Sequence, residues 1–383
     1  MRFQEVILRA MSKQITWFQA AEILGMTPRN MRRYRARLEK GGYDGLIDQR
    51  TRRPSPKRVP VSEVEKVLTL YREQYFDFNV KHFHEKLRDE HQVTLSYTWV
   101  KNALQKAGLV AQLSKRGRHH KRRPRRPLPG MMLHVDGSTH AWLGSGHARF
   151  DLVTLMDDAT SEIYYARFVE QESTETIMAG LRSVVASQGV FCSLYSDRAS
   201  HFVHTPTGAT KPDRSVRTQV GRALEQLGIE LIHANSPQAR GRCERSYKTL
   251  QGRLPQELRM AGAQTLEEAN SVLADYLPRH NQLFMVVAAE SGTAFVPYAG
   301  GDLDKVFSKH HERVIANDNT ITFGKLKLQI ERQTFRFSMA RCRVLVCEHL
   351  DGTIAVHYGP NLLGRYAADS RLLPLSSTST RAA

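Results

Sequence analysis

The spacing of apolar and polar positions changes character three times along the chain. Over residues 1–50 it is helical: Phe3, Ile7 and Met11 share one face, and a second helix is predicted from about Ile15 to Leu24. Gly25 breaks that helix, and Thr27-Pro28 starts another, with an N-cap residue followed by proline at the first helical position. Met31, Tyr34 and Leu38 form the buried side of this third helix. Ala21 is small enough for two helices to approach, and glycine permits the tight turn between them. The pattern predicts a helix-turn-helix module over 1–50. A second module of this kind, helix-turn-helix or winged helix, is predicted over 61–110. There Asn79 caps a helix through Val80, Phe83 and Leu87, and Ser96 caps another with Val100, Leu104 and Ala107 inward. Trp99 reads as a core residue.

From 131 to 262 strands alternate with helices. Candidate strands cover 131–136, 149–157, 162–169, 191–196 and 229–233; candidate helices cover about 173–187, 216–227 and 242–261. Three opening strands favour a meander and the later alternation favours parallel crossovers, so a mixed sheet with helices on both faces is expected. Residues 305–370 turn to short alternating segments, Thr320–Gln329, Thr334–Phe337, Arg343–Cys347 and Thr353–Tyr358. The hairpin signal Asp351-Gly352 lies among them. A small β-barrel is the expected form. The Ser/Thr-rich tail, 371–383, is expected to be disordered.

Charge adds a partner to this picture. The 383 residues carry a formal net charge of +18, an argument for a polyanion. The third helix bears Arg29, Arg32, Arg33, Arg35 and Arg37, as a helix lying in a DNA major groove requires. Thr51 to Arg58 is a Pro-rich basic linker, and a second basic linker spans 111–130. Its run of Lys115, Arg116, Arg118, Lys121, Arg122, Arg123, Arg125 and Arg126 suits nonspecific phosphate contact. A nuclear-import signal is the competing reading of that run. No apolar stretch approaches the length of a membrane span and the N-terminus does not read as a signal peptide, so no membrane partner is expected. Four cysteines make no disulfide framework, and Cys342 and Cys347 are oddly spaced for a shared zinc on a strand. A reducing, cytoplasmic setting is expected.

Three carboxylates stand at element edges. Asp136 ends Met131-Met132-Leu133-His134-Val135-Asp136, Asp197 ends Phe191 to Asp197, and Glu244 opens a predicted helix in Gly241-Arg242-Cys243-Glu244-Arg245. Acids beside an apolar core are costly unless neutralised, and divalent cations neutralise them. A two-metal site of this kind cuts and joins phosphodiesters. In the predicted helix Cys243, Tyr247, Leu250, Leu254 and Leu258 share an apolar face, with Glu244, Lys248 and Gln251 alongside. Asp157 and Asp158 read as turn residues, and His201 is a further candidate near the site.

With these acids in this element order, the chain resembles the DDE transposases and retroviral integrases. In its whole layout it is similar to bacterial insertion-sequence transposases, the ISNCY group above all. The resemblance implies a multidomain α+β protein: N-terminal helix-turn-helix modules, an RNase H-like catalytic core over 131–300 and a small β-barrel over 305–370. It implies that Asp136, Asp197 and Glu244 are the catalytic, metal-holding triad for two Mg²⁺ ions, with Mn²⁺ able to substitute. It implies that Lys248 contacts DNA, and that the protein cleaves transposon ends and joins them to target DNA as a homodimer or higher oligomer; Arg240, Arg242 and Arg245, read from their place around Glu244, are candidates to bind phosphate. The interval between Asp197 and Glu244 exceeds that of the best-known integrases. The excess is assigned to a loop over 203–216, with Glu225 and Glu230 as alternative third acids. The alternative function is a non-enzymatic DNA-binding repressor or a domesticated transposase; an RNase H-like nuclease is a third.

Overall fold

The computed structural model describes residues 2–47, 58–112, 123–144, 146–204, 216–234 and 241–374. Residues 51–57 of the first basic linker, 113–122 of the second, 205–215 of the loop expected over 203–216, Arg240 and the tail beyond 374 lie outside the described residues. The chain divides into two compact units, Met1–Glu73 and Gln74–Ala383. Among the described residues no helix is long and apolar enough to cross a membrane.

The first unit contains α1 (Arg2–Met11), α2 (Trp17–Ile23), α3 (Pro28–Leu46) and α4 (Val61–Glu73). Thr16 caps α2 in a capping box with Gln19, and Thr27 caps α3 ahead of Pro28, so unpaired amides at both helix starts find acceptors. Gly25 takes a φ of 66°, the left-handed conformation that lets α3 leave at an angle to α2. Val6, Ile7, Ala10, Ala20, Ala21, Met31 and Leu38 form the core. Met11, expected on the buried face, is exposed; Val6 and Ala10 fill its place.

The boundary between the two units falls at Glu73, inside the span expected for the 61–110 module, and α4 groups with the first unit. The second module is therefore α5 (Val80–Asp89) and α6 (Tyr97–Lys106), capped by Asn79 and Ser96 as expected. Phe83, Leu87, Val100 and Leu104 are buried, whereas Trp99 is only half-buried.

The second unit is built on a sheet of β1 (Leu133–His140), β2 (Phe150–Asp157), β3 (Ile163–Val169), β4 (Ser193–Ser196) and β5 (Glu230–His233). Its order is β3-β2-β1-β4-β5, with an antiparallel meander on one side and parallel β1–β4 and β4–β5 pairs on the other. This is the mixed sheet that the alternation predicted. The helices of this unit are α7 (Thr174–Ser187), α8 (Gln219–Gln226), α9 (Gly241–Gln251), α10 (Leu254–Met260), α11 (Leu266–Phe284) and α12 (Leu303–Val306). Leu133, Val135, Leu155 and Leu194 meet Ile177, Leu181 and Val184 of α7 and Val220 and Leu224 of α8 in one apolar layer. Leu152, Met156 and Phe168 meet Tyr247 and Leu250 of α9, Leu258 of α10 and Leu273 of α11 in the other.

Helix α11 was not expected. Pro278 reads as a breaker, yet Thr265 and Glu268 form a capping box, and Ala269, Leu273, Tyr276 and His280 keep a buried helical spacing. Asn270 and Asn281 each pair both ways with the backbone of β3, at Phe168 and Ile163, which covers the open edge of the sheet.

The C-terminal segment carries β6 (Lys309–Val314), β7 (Thr320–Phe323), β8 (Leu326–Gln329), β9 (Arg343–Glu348), β10 (Ile354–Tyr358), β11 (Asn361–Tyr366) and β12 (Leu372–Leu373). It is an open five-stranded sheet, β12-β11-β10-β9-β6, beside a separate β7–β8 hairpin, so the expected barrel is corrected: no pairing closes it among the described residues. Ile321 and Leu328 of the hairpin bury against Val346, Val356 and Leu363, so the hairpin covers the core by apolar contact without joining the ladder. Thr334–Phe337 forms no strand, and β12 starts the ordered end later than the tail boundary at 371 allowed. Arg222 of α8 donates to the carbonyls of Val306 and Ser308, and Phe307 enters the layer beneath α7 and α8. Residues 306–308, just after the start of the segment expected over 305–370, thus pack against α8.

Helix α5 meets α10 through charges. Arg253 binds Glu85 through both nitrogens at 2.6 and 3.1 Å, with both side chains buried. Glu257 accepts from His82 at 2.7 Å and from Lys86 at 2.9 Å. Burial works against its charge, but those bonds outweigh it and hold the Glu257 carboxyl down at about 2. Burial also lowers His82 below its usual 6.5. Both shifts are depressions, so both stabilise the fold above the ordinary values and lose that contribution as pH falls. The urea midpoint of unfolding is expected to drop as pH falls from 7 to 3, with the part below pH 4.5 flattened in Glu257→Gln. An acid limb identical in the variant and the parent protein would contradict this account.

Candidate active site

Strands β1 and β4 lie side by side and parallel, with Leu133 against Leu194 and His134 against Tyr195. Side chains alternate along a strand, so Leu133 and Val135 face α7 and α8 while His134 and Asp136 face α9. Carrying the same register two residues on sets Asp136 beside Asp197, which follows β4. Neighbouring strands are about 4.8 Å apart, so this register puts the two acids on one face of the sheet, Asp136 midway along β1 and Asp197 just past β4. Both are half-buried. The Asp197 carboxylate accepts from the Ala199 amide at 2.9 Å, which holds the start of its loop.

Helix α9 lies along β1. The Tyr247 hydroxyl, buried, reaches the carbonyls of Asp136 and Leu152 at 2.5 and 3.0 Å and the Thr154 hydroxyl at 2.9 Å. Gln251 donates to the Ser138 hydroxyl at 3.0 Å. Four helical residues rise about 6 Å and two strand residues about 6.6 Å, so helix and strand keep step over this length. Burial, with the nearby charge of Asp136, pushes the Tyr247 phenol far above its usual range, so it stays a neutral hydrogen-bond donor.

Glu244 stands one turn before Tyr247, exposed, with Arg245 and Lys248 exposed on the same helix. The β1–β4 register, carried on, puts Asp136 and Asp197 at neighbouring positions on one face, and Glu244 stands on the helix that lies along β1. It does not close the three into one cluster: among the described residues no three His, Cys, Asp or Glu side chains are grouped to hold a metal ion. The alternative acids are placed worse. Glu225 lies on α8, across the sheet from the α9 face, and pairs with Arg217 at 2.6 Å. Glu230 starts β5 against Ser193, at the far end of the parallel strands from Asp197. In the first unit Arg29, Arg32, Arg33, Arg35 and Arg37 are all exposed on α3, and Arg35 is paired with Glu39.

Two acids beside the site escaped the sequence reading. Asp158, read as a turn residue, is 1% exposed and gathers His134 at 2.7 Å, Arg123 at 2.6 Å, the Arg126 amide at 2.8 Å and Arg242 of α9. Burial opposes its charge, but these donors hold its carboxyl well below the usual carboxylate range. It ties the end of the basic linker, β1 and the first turn of α9 to one point. Its partner Asp157 does act in a turn, accepting from the Thr160 amide at 2.8 Å and from Gly130 at 2.9 Å. The signal in the sequence was a pair of acids after a strongly apolar strand, in a chain rich in arginine. Glu172 is the second: its carboxylate fills the space where a side chain at Gly137 would begin, next to Asp136. His201 sits 3.4 Å from the Thr174 hydroxyl at the start of α7.

Residues 5–66 match the family model described as winged helix-turn helix. The chain is 30% identical over 356 residues to the putative transposase y4bF of Sinorhizobium fredii (strain NBRC 101917 / NGR234), covering 92% of this chain and 78% of that protein. It is 26% identical over 366 residues to the transposase for insertion sequence IS1202 of Streptococcus pneumoniae, covering 86% and 78%. Among solved structures, the simian T-cell lymphotropic virus intasome in complex with PP2A regulatory subunit B56 gamma superposes with a TM-score of 0.34 and 15% identity. That match spans 66% of this chain and 85% of the other.

Asp158→Asn removes the buried counter-charge that Arg242 and Arg123 share and is expected to lower unfolding stability by roughly 1–3 kcal/mol. Urea unfolding measures this; an unchanged midpoint would rule out Asp158 as the organising charge.

Proposed function

The chain belongs to the insertion-sequence transposases, and from that premise we propose that Asp136, Asp197 and Glu244 are the carboxylates with which it cleaves transposon ends and joins them to target DNA. The observation that supports the reading is the parallel pairing of β1 with β4, whose register carries Asp136, midway along β1, and Asp197, just after β4, to neighbouring positions on one face, on the side of the helix that bears Glu244. The sheet order, a meander followed by parallel strands, fits an RNase H-like core.

The donor set is all carboxylate oxygen, which suits a hard divalent cation. Asp136 and Asp197 fit such an ion as a pair. Glu244 joins them from α9, and like charges at that range hold apart unless a cation stands between them. Asp136, Asp197 and Glu244 would hold two Mg²⁺ ions, or Mn²⁺ in their place, which would supply activation of the attacking hydroxyl and stabilisation of the leaving oxygen. The chain's own residues do the rest. Tyr247 fixes the Asp136 backbone, and Asp158, through Arg242, fixes the first turn of the Glu244 helix. Arg245 and Lys248 put positive charge beside Glu244, where they hold the phosphodiester backbone. The exposed arginines of α3 grip the terminal repeats. Two DNA ends must be joined in one event, so the working form is a homodimer or higher oligomer.

One observation favours a second reading, a DNA-binding protein without catalysis: Glu244 is exposed and outside any three-residue cluster among the described residues. Strand transfer separates the two. Full-length protein is incubated with Mg²⁺ and labelled DNA carrying the inverted repeats that flank its gene, beside Asp197→Asn. Joined products that need the metal and vanish in the variant are expected. Tight repeat binding without nicking or joining, with Mn²⁺ as well, would overturn the catalytic reading.

A further inference from the structure

The α5–α6 module is held against the catalytic unit by an alternating set of charges. From the α10 side come Arg253, Glu257 and Arg259; from the module come Glu85, then His82 with Lys86, then Asp77. Each charge meets its opposite. A slip along the helix would bring like charges together, so the pattern admits one alignment. Arg253 is further fixed over the ring of Phe284, at 4.8 Å. Arg279 of α11 binds Asp89, at the end of α5.

The clamp falls on the turn that ends the Glu244 helix. Asn79 caps α5 with its carbonyl oxygen and donates its amide, at 2.7 Å, to the carbonyl of Gly252, the residue after α9. The next residue, Arg253, holds Glu85. One module therefore grips the joint between α9 and α10 from two sides.

The other side of the module is open. Val100 and Leu104 point α6 inward, leaving Tyr97, Thr98 and Asn102 exposed and Lys101 and Gln105 partly so, with Lys81 over the Tyr97 ring at 5.9 Å. This is a helix face of hydrogen-bonding and basic groups on a chain of net charge +18. Its occupant is duplex DNA, read by the polar side chains and held by the lysines.

We propose that α5–α6 is a measuring arm: DNA held on the outer face of α6 is presented at one fixed distance from Asp136 and Asp197, and the buried charge pattern sets that distance. The arm selects which bond lies at the site. This rests on the reading of those acids as the cutting site. Glu85, Asn79 and Arg253 are positioning residues that touch no DNA.

The test reads where the acid-bearing face lies on DNA without requiring the protein to cut. Fe–EDTA is attached at position 244 in a full-length Glu244→Cys protein that also carries Cys192→Ser, since Cys192 is exposed and the other three cysteines are buried. Hydroxyl-radical scission is then mapped on end-labelled duplex carrying the terminal repeat. A narrow window of a few nucleotides is expected. Glu85→Leu with Arg253→Met replaces the buried pair by apolar groups of similar size, a kind of exchange that commonly preserves folding; it should widen the window several-fold. Lys101→Glu keeps the clamp but removes the grip, and should widen it likewise. Circular dichroism checks the fold. If the double variant fails that check, Asn79→Ser keeps the helix cap, is too short to reach Gly252, and should also widen the window. A diffuse pattern in the starting protein, or an unchanged window in the folded variants, overturns the proposal. A narrow window from a protein whose native form makes no Mg²⁺-dependent cut would sink the catalytic reading and leave the arm standing.

Discussion

Everything at the centre of this molecule depends on one register, that of β1 against β4. Because side chains alternate along a strand, sliding this pair by one residue exchanges the two faces of the sheet. Leu133 and Val135 would then turn away from α7 and α8, and Asp136 would enter an apolar layer. The register is held from both sides: by the packed layer beneath α7 and α8, and by Tyr247, whose hydroxyl reaches backbone on β1 and β2 at once. The pairing of Asp136 with Asp197 follows from this apolar packing.

Buried acids do much of the organising in a strongly basic chain. Asp158, Glu85 and Glu257 each collect basic side chains drawn from distant segments. A buried ion pair contributes little to stability over a well-packed apolar pair, but it rejects misaligned partners. The arginines and lysines thus fall into two populations. Those facing a buried acid act as fasteners between segments, and those on α3 and on the outer side of α9 remain exposed and available to phosphate.

The division between what was legible in the sequence and what was not follows the range of the signals. The five strands of the mixed sheet and the caps at Thr27, Asn79 and Ser96 rest on local spacing, and local spacing reports them well. Asp136 and Asp197 stood out as candidates because each ends an apolar run. Asp158 was not, since its meaning comes from Arg123, His134 and Arg242, which only the folded chain assembles. Helix α11 holds its line through Pro278, a local helix-breaking signal overruled by packing at Leu273 and Tyr276. The barrel was misjudged for a related reason. Strand spacing reports hairpins, but ring closure is a long-range matter, and here apolar burial of the β7–β8 hairpin replaces it.

The cover that α11 lays over β3 also has a history in time. The edge of β3 is finished by side chains at Asn270 and Asn281, more than a hundred residues further along the chain. A ribosome makes the chain at about 5–20 residues per second, so the meander leaves it several seconds before its cover. During that interval β3 offers bare amides and carbonyls to any neighbouring strand, and nascent chains on one message are close neighbours. The sheet that carries the paired aspartates therefore has its most aggregation-prone moment during synthesis, and that moment closes only when the second asparagine arrives.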